Sequence, residues 1–280
     1  MRAVTIREKS IVVEEHPDPV PGTGDILVRV RAAGLNGADV MQRKGAYPAP
    51  PGSPADIPGL ELAVVHERAA MPVPDEVEWE AAGGLPEAFT TAHDAVFTQA
   101  GLTAGERLLV HGAAGGVGTA AVQLGTMAGA RVTATVRDET KRDAIAALGA
   151  NAIPPDGFDE AGPFDVILEL VGAPNLAGNL TALATGGRVC IIGVGAGART
   201  EIDLLALMGK RGRIHGSTLR ARALEDKAAA ARLVEKAVLP GFVSGALSVP
   251  VAATFGLDEA AEAYARFEGG GKLGKIVLVL

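Results

Sequence analysis

The chain has 280 residues, of which 48% are hydrophobic and 21% charged, so it can bury a substantial core in one large or two medium domains. Its net charge of −7 argues against general nucleic-acid binding, which usually needs a basic surface. A single cysteine, Cys190, excludes an intramolecular disulfide framework and a cysteine-rich zinc site. No apolar run approaches the roughly 20 residues that cross a bilayer, and the opening MRAVTI has no signal-peptide pattern, so we expect no membrane partner and a cytoplasmic location.

The first third of the chain favours short elements separated by proline and glycine. Strands are predicted over Ile11–Glu14 and Ile26–Ala32, a short helix over Asn36–Arg43, a proline-rich loop over Tyr47–Pro58, and a longer helix over Glu78–Ala100. The longer helix is predicted to break near Gly83, Gly84 and Pro86, because glycine and proline are poor residues for a helix interior.

From Glu106 to Gly193 apolar strands alternate with helical segments. The predicted strands are Arg107–His111, Arg131–Val136, Asn151–Ile153, Asp165–Leu170 and Arg188–Gly193; the predicted helices are Val117–Ala128, Glu139–Leu148 and Asn175–Ala184. This alternation predicts an α/β fold, in which helices cover both faces of a parallel sheet. A long helix over Ala223–Leu239 and a last strand over Lys275–Leu280 follow.

A glycine-rich turn joins the first of these strands to its helix. The strand–turn–helix–strand order is that of a dinucleotide-binding unit, in an A-x-G-x-x-G form with Ala113 at the first position. In this pattern Gly115 lets the backbone approach a pyrophosphate, and Gly118 lets the helix pack closely on the strand. The helix N-terminus then faces the phosphates. The residues predicted to bind the cofactor here are Ala114, Gly115, Gly116, Val117 and Gly118.

The end of the second strand indicates which dinucleotide is bound. NAD-specific folds usually place an acidic residue there, to hold the ribose 2′-hydroxyl. Here Arg137 follows the strand, with Lys141 and Arg142 one turn further on, and cations favour the 2′-phosphate of NADPH. Arg137 is the strongest candidate. In the alternative interpretation these are solvated charges that pair with the neighbouring Asp138, Glu139 and Asp143.

Two buried polar positions also need an explanation. Glu169 stands inside a predicted buried strand, where a carboxylate needs a partner that the sequence does not identify. His111 ends the first strand of the alternating region, and we interpret it as packed or capped rather than catalytic.

Taken together, the motifs resemble those of a known family. They are the opening MRAVTIRE, the runs Ala32–Asp39 and Pro58–Glu61, the stretch from Ala88 through Gly101–Glu106 to Gly118, and the closing run Gly271–Leu278. In combination they resemble the medium-chain dehydrogenase/reductase superfamily, and more narrowly its zinc-free quinone oxidoreductases. The resemblance covers nearly the whole chain.

The resemblance implies a GroES-like, β-rich catalytic domain over 1–88 and 241–280, and a doubly wound Rossmann domain that binds NADPH over 89–240. It implies an active cleft at their junction, reduction of quinones or conjugated enones, and a homodimer formed through Rossmann sheet edges. It places Asn36 and Tyr47 in the substrate pocket. It places near the nicotinamide the residues Gly193, Val194, Ser217, Thr218 and Leu219.

Two of these positions keep alternative interpretations. Asn36 either hydrogen-bonds a substrate carbonyl or caps the turn before Ala38. Lys275, with Lys272, either contacts a cofactor phosphate or is an ordinary surface lysine. No metal is expected, because the zinc-dependent branch needs a cysteine and a His-Glu pair where this chain has Asn36 and Leu60-Glu61.

The chain departs from the family pattern after Leu62. There it runs directly into Ala63-Val64-Val65-His66, so that about 40 residues of the usual fold are absent at Leu62/Ala63. Either the protein is a genuinely shortened form, or the natural molecule has further residues at this point. This departure keeps open a second function besides the quinone or enone reductase, a cofactor-binding protein with little catalysis. An enoyl-thioester reductase is a further alternative among reductases.

Overall fold

A computed structural model of the chain describes residues 1–50, 53–59 and 64–280. The predicted junction at Leu62/Ala63 lies outside the described residues. The chain divides into two compact units: unit 1 comprises Met1–Thr90 and Leu219–Leu280, and unit 2 comprises Thr91–Thr218. No helix in the described part of the chain is long and apolar enough to span a membrane.

The elements are numbered in chain order. The strands are β1 (Arg2–Arg7), β2 (Ser10–Glu15), β3 (Asp25–Leu27), β4 (Ala32–Gly34), β5 (Val64–His66), β6 (Arg107–Val110), β7 (Arg131–Thr135), β8 (Asn151–Ile153), β9 (Phe164–Glu169), β10 (Leu183–Ile191), β11 (Arg213–Gly216), β12 (Val251–Gly256) and β13 (Lys275–Val279). The α-helices are α1 (Gly37–Arg43), α2 (Trp79–His93), α3 (Gly116–Met127), α4 (Arg142–Ala147), α5 (Leu176–Ala182), α6 (Leu204–Lys210), α7 (Leu224–Ala237), α8 (Leu239–Val243) and α9 (Ala260–Glu268).

Unit 2 is built on a six-stranded sheet in the order β11-β10-β9-β6-β7-β8. All neighbouring strands are parallel, and the order reverses between β6 and β9. This is the strand order of a doubly wound Rossmann sheet, and ligands of such sheets bind at the reversal. The apolar strand residues Leu108, Leu109 and Ile167 are fully buried. The predicted parallel α/β fold is therefore confirmed, although β10 begins five residues earlier than predicted, at Leu183.

Unit 1 is rich in β-structure and contains smaller sheets: the hairpin β1-β2, the sheet β12-β13-β4 and the pair β3-β5. Its core gathers Ile11, Leu35, Tyr264, Ile276 and Leu278. The single strand predicted over Ile26–Ala32 is wrong. The run divides because β3 pairs with β5, whereas β4 pairs with β13 in another sheet.

The predicted break in the long helix is also wrong, because α2 runs through Gly83, Gly84 and Pro86 without interruption and ends at His93. The glycines have a packing role instead. A Cβ on Gly83 would lie 2.7 Å from that of Ala32, and one on Gly84 would lie 2.9 Å from the Cγ1 of Val249. The helix therefore packs so closely on Ala32 and Val249 that only glycine fits at these two positions. This close packing outweighs the weak helix propensity of glycine.

Helices α7 and α8 belong to unit 1, whereas the second domain boundary predicted from the sequence lies between 240 and 241. Arg68 donates two hydrogen bonds of 2.5 and 2.6 Å to Glu225 at the start of α7. Phe242 of α8 packs edge-on against Phe89 with ring centroids 4.8 Å apart. These contacts fix the helices on unit 1. The first stretch of unit 1 ends at Thr90.

Gly118→Ala tests the close contact between α3 and β6. A Cβ at this position would lie 2.6 Å from the carbonyl oxygen of Gly112 and from the Cα of Ala113. Because both are backbone atoms that cannot move aside, we expect the free energy of unfolding to fall by about 1–3 kcal/mol in urea denaturation. The control Gly209→Ala points into open space on α6, so helix propensity should raise stability there by up to about 1 kcal/mol. Equal effects of the two substitutions would contradict this packing role.

Candidate functional site

The glycine-rich turn lies at the carboxyl end of β6, beside the reversal of strand order. Gly112 has a positive φ of 63°, and Gly115 is the N-cap of α3 with extended backbone. A Cβ on Gly115 would meet only the carbonyl oxygen of Gly112, at an ordinary 3.5 Å. The first N–H groups of a helix have no partner inside it. Ala114 to Gly118 are therefore gathered at a helix N-terminus that suits an anion.

The cations after β7 have different partners. The guanidinium of Arg142 donates to the carbonyl oxygen of Val136 at 3.3 Å and pairs with Glu139 at 3.4 Å. Asp138 accepts hydrogen bonds from the backbone and hydroxyl of Thr140. Arg137 is exposed and makes no hydrogen bond or ion pair with the residues that the structure describes. The alternative interpretation therefore fits Arg142, whereas Arg137 keeps its charge available.

The loops after β9 and β10 lie against each other backbone to backbone. Gly172 has a φ of 115°, and a Cβ there would lie 2.5 Å from the carbonyl oxygen of Gly197. The Ser217 N–H, just after β11, donates to the carbonyl oxygen of Ile191 at 3.1 Å. Of the residues predicted near the nicotinamide, Gly193, Val194, Ser217 and Thr218 thus follow the carboxyl ends of two neighbouring strands, β10 and β11. The fifth, Leu219, starts the second stretch of unit 1.

A buried polar chain crosses the sheet at the strand reversal. Thr135 Oγ1 is 3.0 Å from His111 Nδ1, His111 Nε2 is 2.8 Å from Asn179 Oδ1, and Asn179 Nδ2 donates to Glu169 Oε2 at 2.8 Å. His111 and Glu169 are each only 1% exposed. Burial lowers the pKa of the His111 imidazole, which keeps the ring neutral. Glu169 thus has the partners that the sequence did not identify.

A second polar cluster, in unit 1, surrounds Asn36. Lys275 is 3% exposed, and its ammonium donates to the carbonyl oxygen of Leu35 at 2.9 Å and to Asn36 Oδ1 at 2.5 Å. Asn36 Nδ2 donates to the carbonyl oxygen of Gly34, and the Asn36 N–H donates to Asp39 Oδ2 at 2.8 Å. Asn36 is also the N-cap residue of α1. The expected contact of Lys275 with a cofactor phosphate does not fit, because its ammonium is buried against Asn36.

Tyr47 lies beside an arginine that the sequence did not single out. The guanidinium of Arg220 sits 4.8 Å from the ring centroid of Tyr47 and donates to Gln42 Oε1 at 2.5 Å. Gln42 in turn donates to the carbonyl oxygens of Ala55 and Ile57, which ties the proline-rich loop to α1. The buried Nη1 of Arg220 has no hydrogen-bond partner within the described ranges. Only the tertiary structure brings residues 42, 47 and 220 together.

The structure also bears on metal binding. Among the residues described, no group of three or more His, Cys, Asp or Glu side chains could hold a metal ion. Asn36 occupies the position at which the resemblance would require a ligating cysteine, and the Lys275 ammonium lies 2.5 Å from its oxygen. A buried ammonium at this distance disfavours a second cation at the same place.

Comparisons with known proteins agree with the fold. A family profile described as zinc-binding dehydrogenase matches residues 148–278. Quinone oxidoreductase of Mus musculus is 28% identical over 94% of this chain and 91% of its own length. A structure of the quinone oxidoreductase from Thermus thermophilus, described with its NADPH complex, has a TM-score of 0.87 and 29% identity over 100% of both chains.

The chain therefore belongs to the medium-chain dehydrogenase/reductase superfamily. Within it, the chain is an oxidoreductase that uses a nicotinamide cofactor and is similar to quinone oxidoreductases. A part of another protein is also similar: the spectinabilin polyketide synthase system protein NorB of Streptomyces orinoci is 33% identical over 92% of this chain but only 13% of its own length.

The alignment with the mouse protein is longer than the part of this chain that it matches. The alignment has 307 positions, but 94% of this 280-residue chain is about 263 residues, so about 44 positions are filled by the mouse protein alone. That number is close to the roughly 40 residues expected from the usual size of the fold.

Asp39→Asn tests the buried cluster of unit 1 through its pH dependence. Burial raises the pKa of Asp39 to about 6 against an ordinary 3.8, although the Asn36 N–H and Lys275 oppose this shift. The folded state therefore binds the Asp39 proton more tightly than the unfolded state does. The free energy of unfolding gained in this way is fully present below about pH 4 and is lost as the pH rises through 6. When the pH is lowered from 7 to 5, the free energy of unfolding, measured in urea, should increase by about 1 kcal/mol more for the wild type than for Asp39→Asn.

The exposed Asp143→Asn is the control for removal of one carboxylate. If the difference in stability between wild type and Asp39→Asn is the same at pH 5 and pH 7, Asp39 does not titrate in this range and the cluster has been interpreted wrongly.

Proposed function

We propose that the protein is an NADPH-dependent, zinc-independent reductase that transfers hydride to quinones or conjugated enones. The observation that carries the proposal is the free guanidinium of Arg137 at the end of β7, beside an intact glycine-rich turn. A glycine-rich turn alone suits either nicotinamide dinucleotide. An arginine in place of the usual acidic residue favours the one with a 2′-phosphate.

The local contacts support Arg137 over its neighbours. Arg142 is held by Val136 and Glu139, and Asp138 is held by Thr140, so neither side chain is free to bind a ribose substituent without losing a contact. Arg137 loses none. Its planar guanidinium can donate two parallel hydrogen bonds to a phosphate.

The proposed reaction requires little proton transfer by side chains of the protein. A bound nicotinamide supplies the hydride, and a quinone that accepts it becomes an oxyanion that takes a proton from solvent. The residues of the chain bind and orient: Ala114 to Gly118 hold the pyrophosphate, and the loops that carry Gly193, Val194, Ser217 and Thr218 position the ring. Turnover therefore does not require a proton-donating pair from the chain.

On the acceptor side we propose Asn36, Tyr47 and Arg220. The Tyr47 ring and the guanidinium of Arg220 lie against each other, and Gln42 fixes the orientation of that guanidinium. A buried donor without a partner costs free energy unless a ligand satisfies it. We therefore expect Arg220 Nη1 to donate to a carbonyl oxygen of the acceptor.

The same cluster supports the proposed zinc independence. The matched profile, although described as zinc-binding, spans 148–278 and does not include Asn36. Asn36 offers an amide in place of a thiolate, and its oxygen already accepts a hydrogen bond from the Lys275 ammonium. An amide so engaged is a poor ligand for zinc, which prefers thiolate and imidazole.

The proposal is tested by steady-state kinetics with NADPH or NADH and a simple para-quinone. Arg137→Ala should raise the KM for NADPH about tenfold or more while leaving the KM for NADH unchanged, because one charge-assisted contact with the 2′-phosphate is lost. Arg220→Met should raise only the KM for the quinone. Each variant is thus the control for the other, and equal changes with NADPH and NADH in Arg137→Ala would refute the cofactor assignment.

The same assay separates the other candidate functions. The similarity to part of a polyketide synthase protein favours an enoyl thioester as a second acceptor to be tried. Turnover of the thioester but not of the quinone would assign the enzyme to enoyl-thioester reduction. Tight NADPH binding without turnover of either acceptor would instead point to a cofactor-binding protein.

We also propose that the protein forms a homodimer through unit 2. Strand β11 is at the edge of the six-stranded sheet, and the helix before it, α6, exposes Leu204 by 64%, Leu205 by 77% and Met208 by 70%. Unpaired strand edges and neighbouring apolar side chains are typical of an interface. A second copy of the chain fits both features, because two β11 edges can pair with each other.

The double variant Leu205→Glu/Met208→Glu should convert the dimer to a monomer, as measured by light scattering of the purified protein. Two buried carboxylates per chain cannot be accommodated in an apolar interface. The control Val20→Glu lies in unit 1 and is already 87% exposed, so it should stay dimeric. A wild-type protein that runs as a monomer would exclude this assembly.

A further inference from the structure

The buried chain Thr135–His111–Asn179–Glu169 has a single possible direction. Glu169 faces only donors: Oε1 accepts from the N–H groups of Val171 and Gly172 at 2.6 and 2.8 Å and from Asn175, and Oε2 accepts from Asn179. A carboxylate in such surroundings is an acceptor only. Asn179 must therefore point Nδ2 towards Glu169, and its Oδ1 must point towards His111.

The direction of the amide determines the histidine tautomer. Since Asn179 Oδ1 needs a donor, His111 Nε2 carries the proton. The neutral ring then has a lone pair on Nδ1, which accepts from the hydroxyl of Thr135. Every hydrogen bond of the chain thus runs from Thr135 to Glu169. The ring also packs edge-on against Phe158 with centroids 4.5 Å apart, so it cannot turn to another partner without losing this contact.

This series of hydrogen bonds connects strand ends that carry the candidate cofactor residues. Thr135 is two residues before Arg137, and its carbonyl oxygen accepts from the Ala113 N–H in the glycine-rich turn at 3.3 Å. His111 is the residue before that turn. Glu169 holds the N–H groups of Val171 and Gly172, whose loop packs against the loop that begins at Gly193.

We propose that Thr135, His111, Asn179 and Glu169 act as positioning residues that fix the spacing between the glycine-rich turn and Arg137, through hydrogen bonds that run in one direction. None of the four is proposed to touch the cofactor. The inference rests on the proposed function for the identity of the cofactor, but the direction of the hydrogen bonds does not depend on it.

The direction is tested by nitrogen-15 NMR of the histidine rings in the full-length protein. The His111 signal, identified by its loss in His111→Gln, should show the Nε2–H tautomer at neutral pH. In Glu169→Gln the new amide N–H faces Asn179 and turns it over, which makes His111 Nε2 an acceptor and moves the proton to Nδ1. An Nδ1–H tautomer in the wild type, or an unchanged tautomer in Glu169→Gln, would overturn the proposed direction.

The positioning role is tested by NADPH titration, followed by cofactor fluorescence. Thr135→Val removes the first donor of the chain and should raise the Kd for NADPH about tenfold, with kcat at saturating NADPH within about twofold of wild type. Thr133→Val is the matched control on the same strand and should bind as the wild type does, because the Thr133 hydroxyl makes no hydrogen bond with the described residues.

Equal Kd values for the Thr133 and Thr135 variants would refute the positioning role, whatever the tautomer. Failure of the wild type to bind NADPH would instead refute the proposed cofactor, and the tautomers would still decide whether the chain has the inferred direction. The two failures can therefore be distinguished.

Discussion

The buried carboxylate of Glu169 is the constraint on which unit 2 depends. A charge removed from water at the end of a central strand must be surrounded by donors, or the strand cannot be buried. Two backbone N–H groups and two asparagine side chains satisfy it. Meeting this requirement bends the loop after β9 sharply, fixes α5 against the sheet and, through His111, reaches the glycine-rich turn. One electrostatic demand thus shapes several of the surfaces that a dinucleotide would contact.

Unit 1 solves a similar problem with the opposite charge. The Lys275 ammonium is buried beside Asp39 and hydrogen-bonded to Asn36, so that a cation, an anion and an amide share one polar pocket. In both units a buried side chain is held by hydrogen bonds to neighbouring polar groups of the protein. Such arrangements define a side-chain orientation more strictly than apolar packing does, because each donor needs a particular acceptor.

The parts of the fold that were predictable from the sequence are those set by neighbours in the chain. The alternation of apolar strands with helices and the spacing from Ala113 to Gly118 are local patterns, and the structure has both where they were expected. Asn36 was expected either to cap the turn before Ala38 or to contact a substrate; it is the N-cap residue of α1, and its side-chain oxygen accepts a hydrogen bond from Lys275.

The errors share one cause, which is tertiary pairing. The run Ile26–Ala32 has uniform β-type composition, yet its two ends pair with strands from different parts of the chain. Gly83 and Gly84 have weak helix propensity, but they allow the helix to pack closely against Ala32 and Val249. Lysine is usually a surface residue, so the sequence gives no sign that Lys275 is buried beside Asn36. No periodic pattern in the sequence indicates these tertiary contacts.

The order of the two units along the chain has a consequence for synthesis. Unit 2 is one uninterrupted stretch, so all its strands are present once Thr218 has left the ribosome. Unit 1 is divided, and the lysine that orients Asn36 is 239 residues further along the chain. Domains generally fold as units during translation, with the earlier one first. On the function proposed above, unit 2 would bind the dinucleotide, and it is therefore complete while unit 1 still lacks β13. A newly made chain would then gain its cofactor site before its acceptor site.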